Sequence, residues 1–134
     1  MHIDLPEVVA EVRAAFERYE KALVTNDMDT LNALFHRDER TIRYGIQENL
    51  YGHEAIAAFR AARSPVGLDR TLRRTVITAY GRDLAVASTL FYRSSLADKV
   101  CRQMQTWVRF AQGWRIVAAH VSVIAVRGDV PGGA

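Results

Sequence analysis

The first half of the chain repeats apolar positions with the period of amphipathic helices. Pro6 suits the first position of a helix, and apolar residues then recur every three or four positions as far as Asn26. Asp27 is placed to cap a second, short helix. A third helix is predicted between Gly52 and Ser64, because the dipeptide Ser64-Pro65 breaks the helical pattern. The sequence therefore predicts three helices before its midpoint.

The second half changes to the period of two that is typical of β-strands. Four long strands are predicted over residues 70–80, 84–94, 100–111 and 114–126, after a short one over residues 41–45. Helices followed by an antiparallel meander indicate an α+β domain rather than a parallel doubly wound sheet. We expect one domain over residues 1–128 and a flexible C-terminal tail over residues 129–134.

The dipeptide Gln112-Gly113 lies between the last two predicted strands and indicates a two-residue hairpin loop. Pairing from that loop would bring four side chains with polar or aromatic groups to one face of the sheet. These are the candidate substrate-binding residues of the sheet: Gln105, Trp107, His120 and Ser122. The opposite face would be apolar apart from Arg102 and Thr106.

A sheet with two such faces needs a cover on each side. We expect helices and a cavity on the first face and a second copy of the chain on the apolar face, which gives a homodimer.

Composition narrows the function classes. Cys101 is the only cysteine, so an internal disulfide and a cysteine-based zinc site are excluded. The four histidines fall on unrelated elements, so we expect no metal and no cofactor. Neither a signal-peptide pattern nor a run of about 18 apolar residues occurs, which predicts a cytoplasmic protein that makes no membrane contact.

Arginine dominates the basic residues. Of 18 basic residues only Lys21 and Lys99 are lysines, which leaves 16 arginines. The planar guanidinium fits a carboxylate, so the bias favours a small acidic ligand, although a GC-rich genome would produce the same excess. Acidic residues are scattered among the arginines, which argues against nucleic-acid binding. The arginines around Ser64 are either solvated charges or, for Arg63 or Arg73, part of a cavity mouth that attracts anions.

The strand over residues 113–117, with His120-Val121-Ser122, resembles the last strand of the SnoaL-like, NTF2-like superfamily. Further segments resemble the AtzH-like family over nearly the whole chain: Tyr19 and residues 41–45, 48–52, 59–63, 105–109 and 118–122. The resemblance implies a cone-shaped, curved antiparallel sheet whose three helices enclose a cavity.

The AtzH-like family includes HpxZ, which is associated with oxalurate catabolism, and AtzH, a decarboxylating amidohydrolase of cyanuric acid breakdown. The resemblance implies the same cofactor-independent activity here, on an N-carboxylated urea such as 1,3-dicarboxyurea. It assigns the catalytic pair to Tyr19 and Arg43. Without it, the apolar stripe favours a core tyrosine at position 19, with its hydroxyl tied to the backbone, and Arg43 is either a surface arginine or a cavity residue that grips a carboxylate.

Two other functions stay open at this point. A non-catalytic NTF2-like module would bind a ureide-type acid or support an amidase partner. A proton-transfer enzyme of the SnoaL or ketosteroid isomerase type would need an acidic base in the cavity, whereas the acids here fall mostly at helix ends and turns.

Overall fold

The computed structural model describes residues 1–125. Its helices are α1 (Pro6–Val24), α2 (Met28–Leu34) and α3 (His53–Ala62). Its strands are β1 (Ile42–Tyr44), β2 (Asn49–Tyr51), β3 (Thr71–Tyr80), β4 (Leu84–Tyr92), β5 (Val100–Phe110) and β6 (Gly113–Ile124), and a single 3-10 turn covers Ser94–Leu96. The predicted tail over residues 129–134 lies outside the described residues.

The three helices begin and end where the sequence signals them. Pro6 opens α1, because its missing N–H would have no partner in the first turn. The Asp27 carboxylate caps α2 by accepting a hydrogen bond from the backbone N–H of Thr30 at 3.1 Å. Gly52 precedes α3 with φ of 91°, a conformation that glycine adopts without steric cost. Arg63, which follows α3, is already extended ahead of the Ser64-Pro65 break.

The strands form one sheet in the order β2-β1-β6-β5-β4-β3. Strands β3 to β6 pair antiparallel as the predicted meander, whereas β1 lies parallel to β6. Strand β2 was not predicted, and it pairs antiparallel with β1. The α+β class with a mainly antiparallel sheet is therefore confirmed.

The predicted register of the last hairpin is wrong. The loop is Ala111-Gln112, since Phe110 pairs with Gly113, and a bulge follows between the pair Trp107–Ile116 and the pair Thr106–Ala118. The extra residue at the bulge reverses the alternation of β6 beyond it. Gln105 consequently pairs with Ala119, and His120 pairs with Met104 on the other face.

The helices cover only one face of the sheet. Their buried stripes form a core with inward side chains of the strands, including Phe16, Leu31, Phe35, Trp107 and Ile116. The opposite, outer face carries exposed apolar side chains from four strands, among them Val76 and Met104, each 54% exposed.

Candidate functional site

A cavity of about 430 Å³ lies between the inner face of the sheet, α1, α3 and the β1–β2 hairpin. Its volume falls within the range of small-molecule sites, about 300–1,000 Å³. Apolar side chains such as Leu23, Phe59 and Val121 form much of its wall. Its main polar groups are Tyr19, Arg43, Glu48, Arg63, Arg70, Arg93 and Gln103. The cavity therefore combines an apolar lining with four arginines.

Tyr19 reaches the cavity from the buried stripe of α1. Its ring is buried and packs edge-to-face on Phe35, with centroids 6.2 Å apart. Within residues 1–125 no group hydrogen-bonds to its hydroxyl, so the phenol is not tied to the backbone as a core tyrosine would be. It lies near the guanidinium groups of Arg60, Arg63 and Arg93.

Arg43 points inward because it pairs with Ala119, while its neighbours in β1 face outward. Its Nη1 donates to Glu48 Oε1 at 3.3 Å, and its guanidinium carbon lies 5.6 Å from the centroid of the Phe59 ring. The Glu48 carboxylate fits there because Gly45 has no side chain, since a Cβ at Gly45 would overlap it. One long hydrogen bond leaves other nitrogens of Arg43 available to a ligand.

Arg70 forms a two-pronged ion pair with Glu20. Its Nε and Nη2 donate to the two carboxylate oxygens of Glu20 at 2.8 and 2.6 Å, and its side chain is 2% exposed. Its Nη2 also donates to Gln103 Oε1 at 3.0 Å. Because that oxygen is engaged, the orientation of the Gln103 amide is fixed. The Nε2 of Gln103 is buried and has no hydrogen-bond partner among the described residues.

Arg63 and Arg93 have no carboxylate partner within residues 1–125. Nε and Nη2 of Arg63 and Nε of Arg93 are buried without an acceptor, although Arg93 Nη1 donates to the carbonyl of Gly67 at 3.1 Å. Burial lowers the pKa of both guanidinium groups, and repulsion from neighbouring arginines lowers it further. Neither group forms an ion pair with a carboxylate of residues 1–125.

A fifth arginine lies beside the cavity. Arg60 donates to Asn32 Oδ1 at 2.6 Å, its guanidinium carbon is 5.1 Å from the centroid of the Phe35 ring, and burial lowers its pKa to about 10. The five guanidinium groups exceed the paired carboxylates, Glu20 and Glu48, by three. Among residues 1–125 the site therefore carries an excess of positive charge, which favours an anion.

The sheet residues predicted to line the cavity do not do so. Gln105 and Trp107 are buried on the inner face, where the indole Nε1 donates to the amide oxygen at 3.2 Å. His120 lies on the outer face, and so does Ser122, which accepts a hydrogen bond from Arg102. Arg73 is exposed on β3. Among the predicted cavity-mouth arginines, only Arg63 borders the cavity.

Residues 1–125 contain no group of three His, Cys, Asp or Glu side chains that could share a metal ion. None of their helices has the length and apolar character needed to span a bilayer.

The sequence model of the AtzH-like family matches residues 1–127. The chain belongs to the AtzH-like family. No protein of curated function matches the sequence. A solved structure of a protein of unknown function from the DUF3225 family of Pectobacterium atrosepticum is 60% identical, over 91% of this chain and 94% of that chain, with a TM-score of 0.89. A cystatin-like fold protein from Burkholderia xenovorans is 50% identical, over 95% and 99% of the chains, with a TM-score of 0.90.

More distant structures show the fold alone. An NTF2-like protein of unknown function from Pseudomonas putida is 19% identical, over 87% of this chain and 86% of that chain, with a TM-score of 0.73. This AtzH-like protein therefore has the NTF2-like, cystatin-like fold that its sequence predicted.

Sequence reasoning missed several cavity residues of this AtzH-like protein, including Arg70, Arg93 and Glu48. A signal for Arg93 was present, because strand alternation from the inward Ala87 through Phe91 also turns residue 93 inward. Glu48 was passed over because it lies on a turn, yet that turn borders the cavity. No local pattern identifies Arg70, whose partner Glu20 lies 50 positions earlier.

Proposed function

We propose that this AtzH-like protein is a cofactor-independent decarboxylating amidohydrolase of an N-carboxylated urea such as 1,3-dicarboxyurea, in cyanuric acid or oxalurate-type nitrogen catabolism. The observation that carries the proposal is the convergence of Tyr19 and Arg43 on one partly apolar cavity. The excess of guanidinium groups there suits a substrate with two negative charges.

The chemistry needs one proton and one stabilised charge. The bond between the urea nitrogen and its carboxylate carbon breaks, carbon dioxide leaves, and the bonding electron pair remains on the nitrogen. Tyr19 donates its phenolic proton to that nitrogen as a general acid. The phenolate then recovers a proton from water, so the balance is one proton consumed and one carbon dioxide released.

Arg43 supplies the electrostatic part of the proposed reaction. The electron pair on nitrogen delocalises into the adjoining urea carbonyl, whose oxygen becomes more negative as the bond breaks. A guanidinium that donates to this oxygen stabilises the transition state more than the substrate. The apolar walls formed by Leu23 and Phe59 strengthen that interaction by excluding water.

The test is turnover of 1,3-dicarboxyurea, followed by carbon dioxide release. Tyr19→Phe and Arg43→Ala should each abolish turnover while circular dichroism shows an unchanged fold. Tyr44→Phe, on the outer face, and Arg18→Ala, on the exposed side of α1, are the matched controls and should remain active. Near-wild-type turnover in both cavity variants would contradict the catalytic roles proposed for Tyr19 and Arg43.

A binding module is the second candidate, because the unpartnered arginines would hold a carboxylate whether or not a reaction follows. Such a module would bind small ureido acids saturably without forming product. Co-purification with an amidase, together with no consumption of these acids, would favour it.

We also propose that the outer face of the sheet joins two copies of the chain. Its large exposed apolar side chains come from β2 and from the neighbouring strands β5, β4 and β3: Tyr51, Val76, Tyr80, Leu84 and Met104. Large exposed apolar patches are uncommon on monomers and typically mark interfaces.

A further inference from the structure

One side of the cavity holds buried hydrogen-bond donors that lack an acceptor. They are Nε and Nη2 of Arg63, Nε of Arg93 and Nε2 of Gln103. Buried polar atoms in proteins almost always have a partner, so a group of orphan donors around one cavity indicates a ligand that supplies acceptors. Since all three residues line the cavity, that ligand would lie inside it.

The chemistry of the group specifies the ligand further. All four nitrogens are donors, and two of the residues carry a positive charge that no carboxylate within residues 1–125 pairs with. The neighbouring Arg70 does not share that role, because Glu20 already occupies its fork. Arg70 acts instead as a positioning residue, since its bond to the Gln103 oxygen turns the amide N–H groups away from itself. A carboxylate is the group that matches these donors.

Arg43 enters the cavity from a different part of the sheet. Strands β1, which carries Arg43, and β4, which Arg93 follows, are separated in the sheet order by β6 and β5. Arg43 and the orphan donors are therefore separate groups on the cavity wall, although both line the same cavity. A ligand with two carboxylates could engage one group with each of them.

We propose that Arg63, Arg93 and Gln103 bind the second carboxylate of a dicarboxylated urea whose other end is held at Arg43. This inference rests on the proposed function, which supplies the substrate class. It makes the three residues specificity determinants that favour a dicarboxylated substrate over its monocarboxylated product. Loss of one carboxylate in the reaction removes one of the two anchors, so the product leaves.

Glutarate is the probe, because its chain has the length of 1,3-dicarboxyurea and it does not react. Butyrate is the matched ligand, since it is glutarate without the second carboxylate. Titration calorimetry in a chloride buffer gives the ratio of the butyrate and glutarate dissociation constants. The wild-type ratio should be roughly 10–100, the value of one charge-assisted contact set. In Arg93→Gln the ratio should fall several-fold, because only Arg63 and Gln103 then remain to bind the second carboxylate.

Gln103→Met keeps the side-chain volume and should lower the ratio of dissociation constants by a smaller factor than Arg93→Gln does. This second variant keeps the inference testable if Arg93→Gln fails to fold. Arg18→Gln, an exposed arginine of α1, should keep the wild-type ratio. A wild-type ratio near one, or a ratio that Arg93→Gln leaves unchanged, overturns the inference. The measurement is independent of catalysis. An inactive protein that keeps the glutarate preference refutes the proposed reaction alone, and an active protein without the preference refutes this inference alone.

Discussion

Replacing Arg63 by methionine should stabilise the unliganded protein. The guanidinium has two buried nitrogens without a partner, and the methionine retains most of the aliphatic stem. Its pKa is lowered in the fold by burial and by the charges of Arg43, Arg93 and Arg70. A base with a lowered pKa in the folded state holds its proton less tightly there, so its charge costs stability at every pH below that folded pKa, neutral pH included.

The size of the effect follows from the unpaired groups. An unsatisfied buried donor costs about 1–3 kcal/mol, and replacing uncompensated buried charge by an apolar side chain often gains about 1–4 kcal/mol. Repacking around the methionine sulfur offsets part of this, by less than about 1.5 kcal/mol. We therefore expect Arg63→Met to raise the free energy of unfolding by about 1–2 kcal/mol.

Urea unfolding at neutral pH in chloride buffer measures this change. The midpoint should rise without a change of slope, since the surface exposed on unfolding is nearly the same. Arg18→Met should stay within about 0.5 kcal/mol of wild type, as exposed substitutions do. Saturating glutarate should stabilise the wild type more than Arg63→Met. A loss of about 1 kcal/mol or more in Arg63→Met would show that the guanidinium has a structural partner, and the reasoning from unpaired charge would fail.

Three further outcomes are expected. Glu20→Gln should lower the free energy of unfolding by about 3–5 kcal/mol, because it leaves the buried Arg70 charge uncompensated; a urea-melt change below about 1 kcal/mol would contradict this. Glu48→Gln should tighten glutarate binding several-fold in calorimetry, because Glu48 competes for Arg43, whereas unchanged or weaker binding would rule out competition. Met104→Glu should convert the proposed dimer to a monomer in light scattering, and a dimer that survives would exclude the outer face as the interface.

Local sequence patterns were enough to predict most of the fold. The period of α1 and the Asp27 cap are short-range signals, and both were confirmed. The face assignment of His120 failed because it depended on counting residues outward from the hairpin. The Trp107–Ile116 pair lies between the hairpin loop and the bulge, and there the predicted face was right. Beyond the bulge every residue of β6 lies on the face opposite to the predicted one. Such a bulge has no clear sequence signature here, since the residues that flank it are ordinary strand formers.

The cavity was harder to predict than the fold, because its residues come from separate elements. Tyr19 and Arg43 were assigned from the family resemblance alone, and residue patterns could not have separated them from a core tyrosine and a surface arginine. Arg73 was placed at the mouth as readily as Arg63, but β3 is irregular between Arg73 and Val76, where Arg74 takes φ of 54°. That irregularity breaks the alternation on which the assignment rested.

The arginine excess had two explanations at the level of sequence, and the structure separates the arginines into two populations. Some, such as Arg18, are exposed, and these need no explanation beyond composition. Arg63 and Arg93 are different, because they have buried nitrogens without an acceptor among residues 1–125, which we expect to lower the stability of the fold. A compositional bias alone would not gather unpaired guanidinium groups around one cavity at such a cost. The carboxylates of the proposed ligand would compensate them, and the same groups would then contribute to affinity while lowering the stability of the unliganded protein.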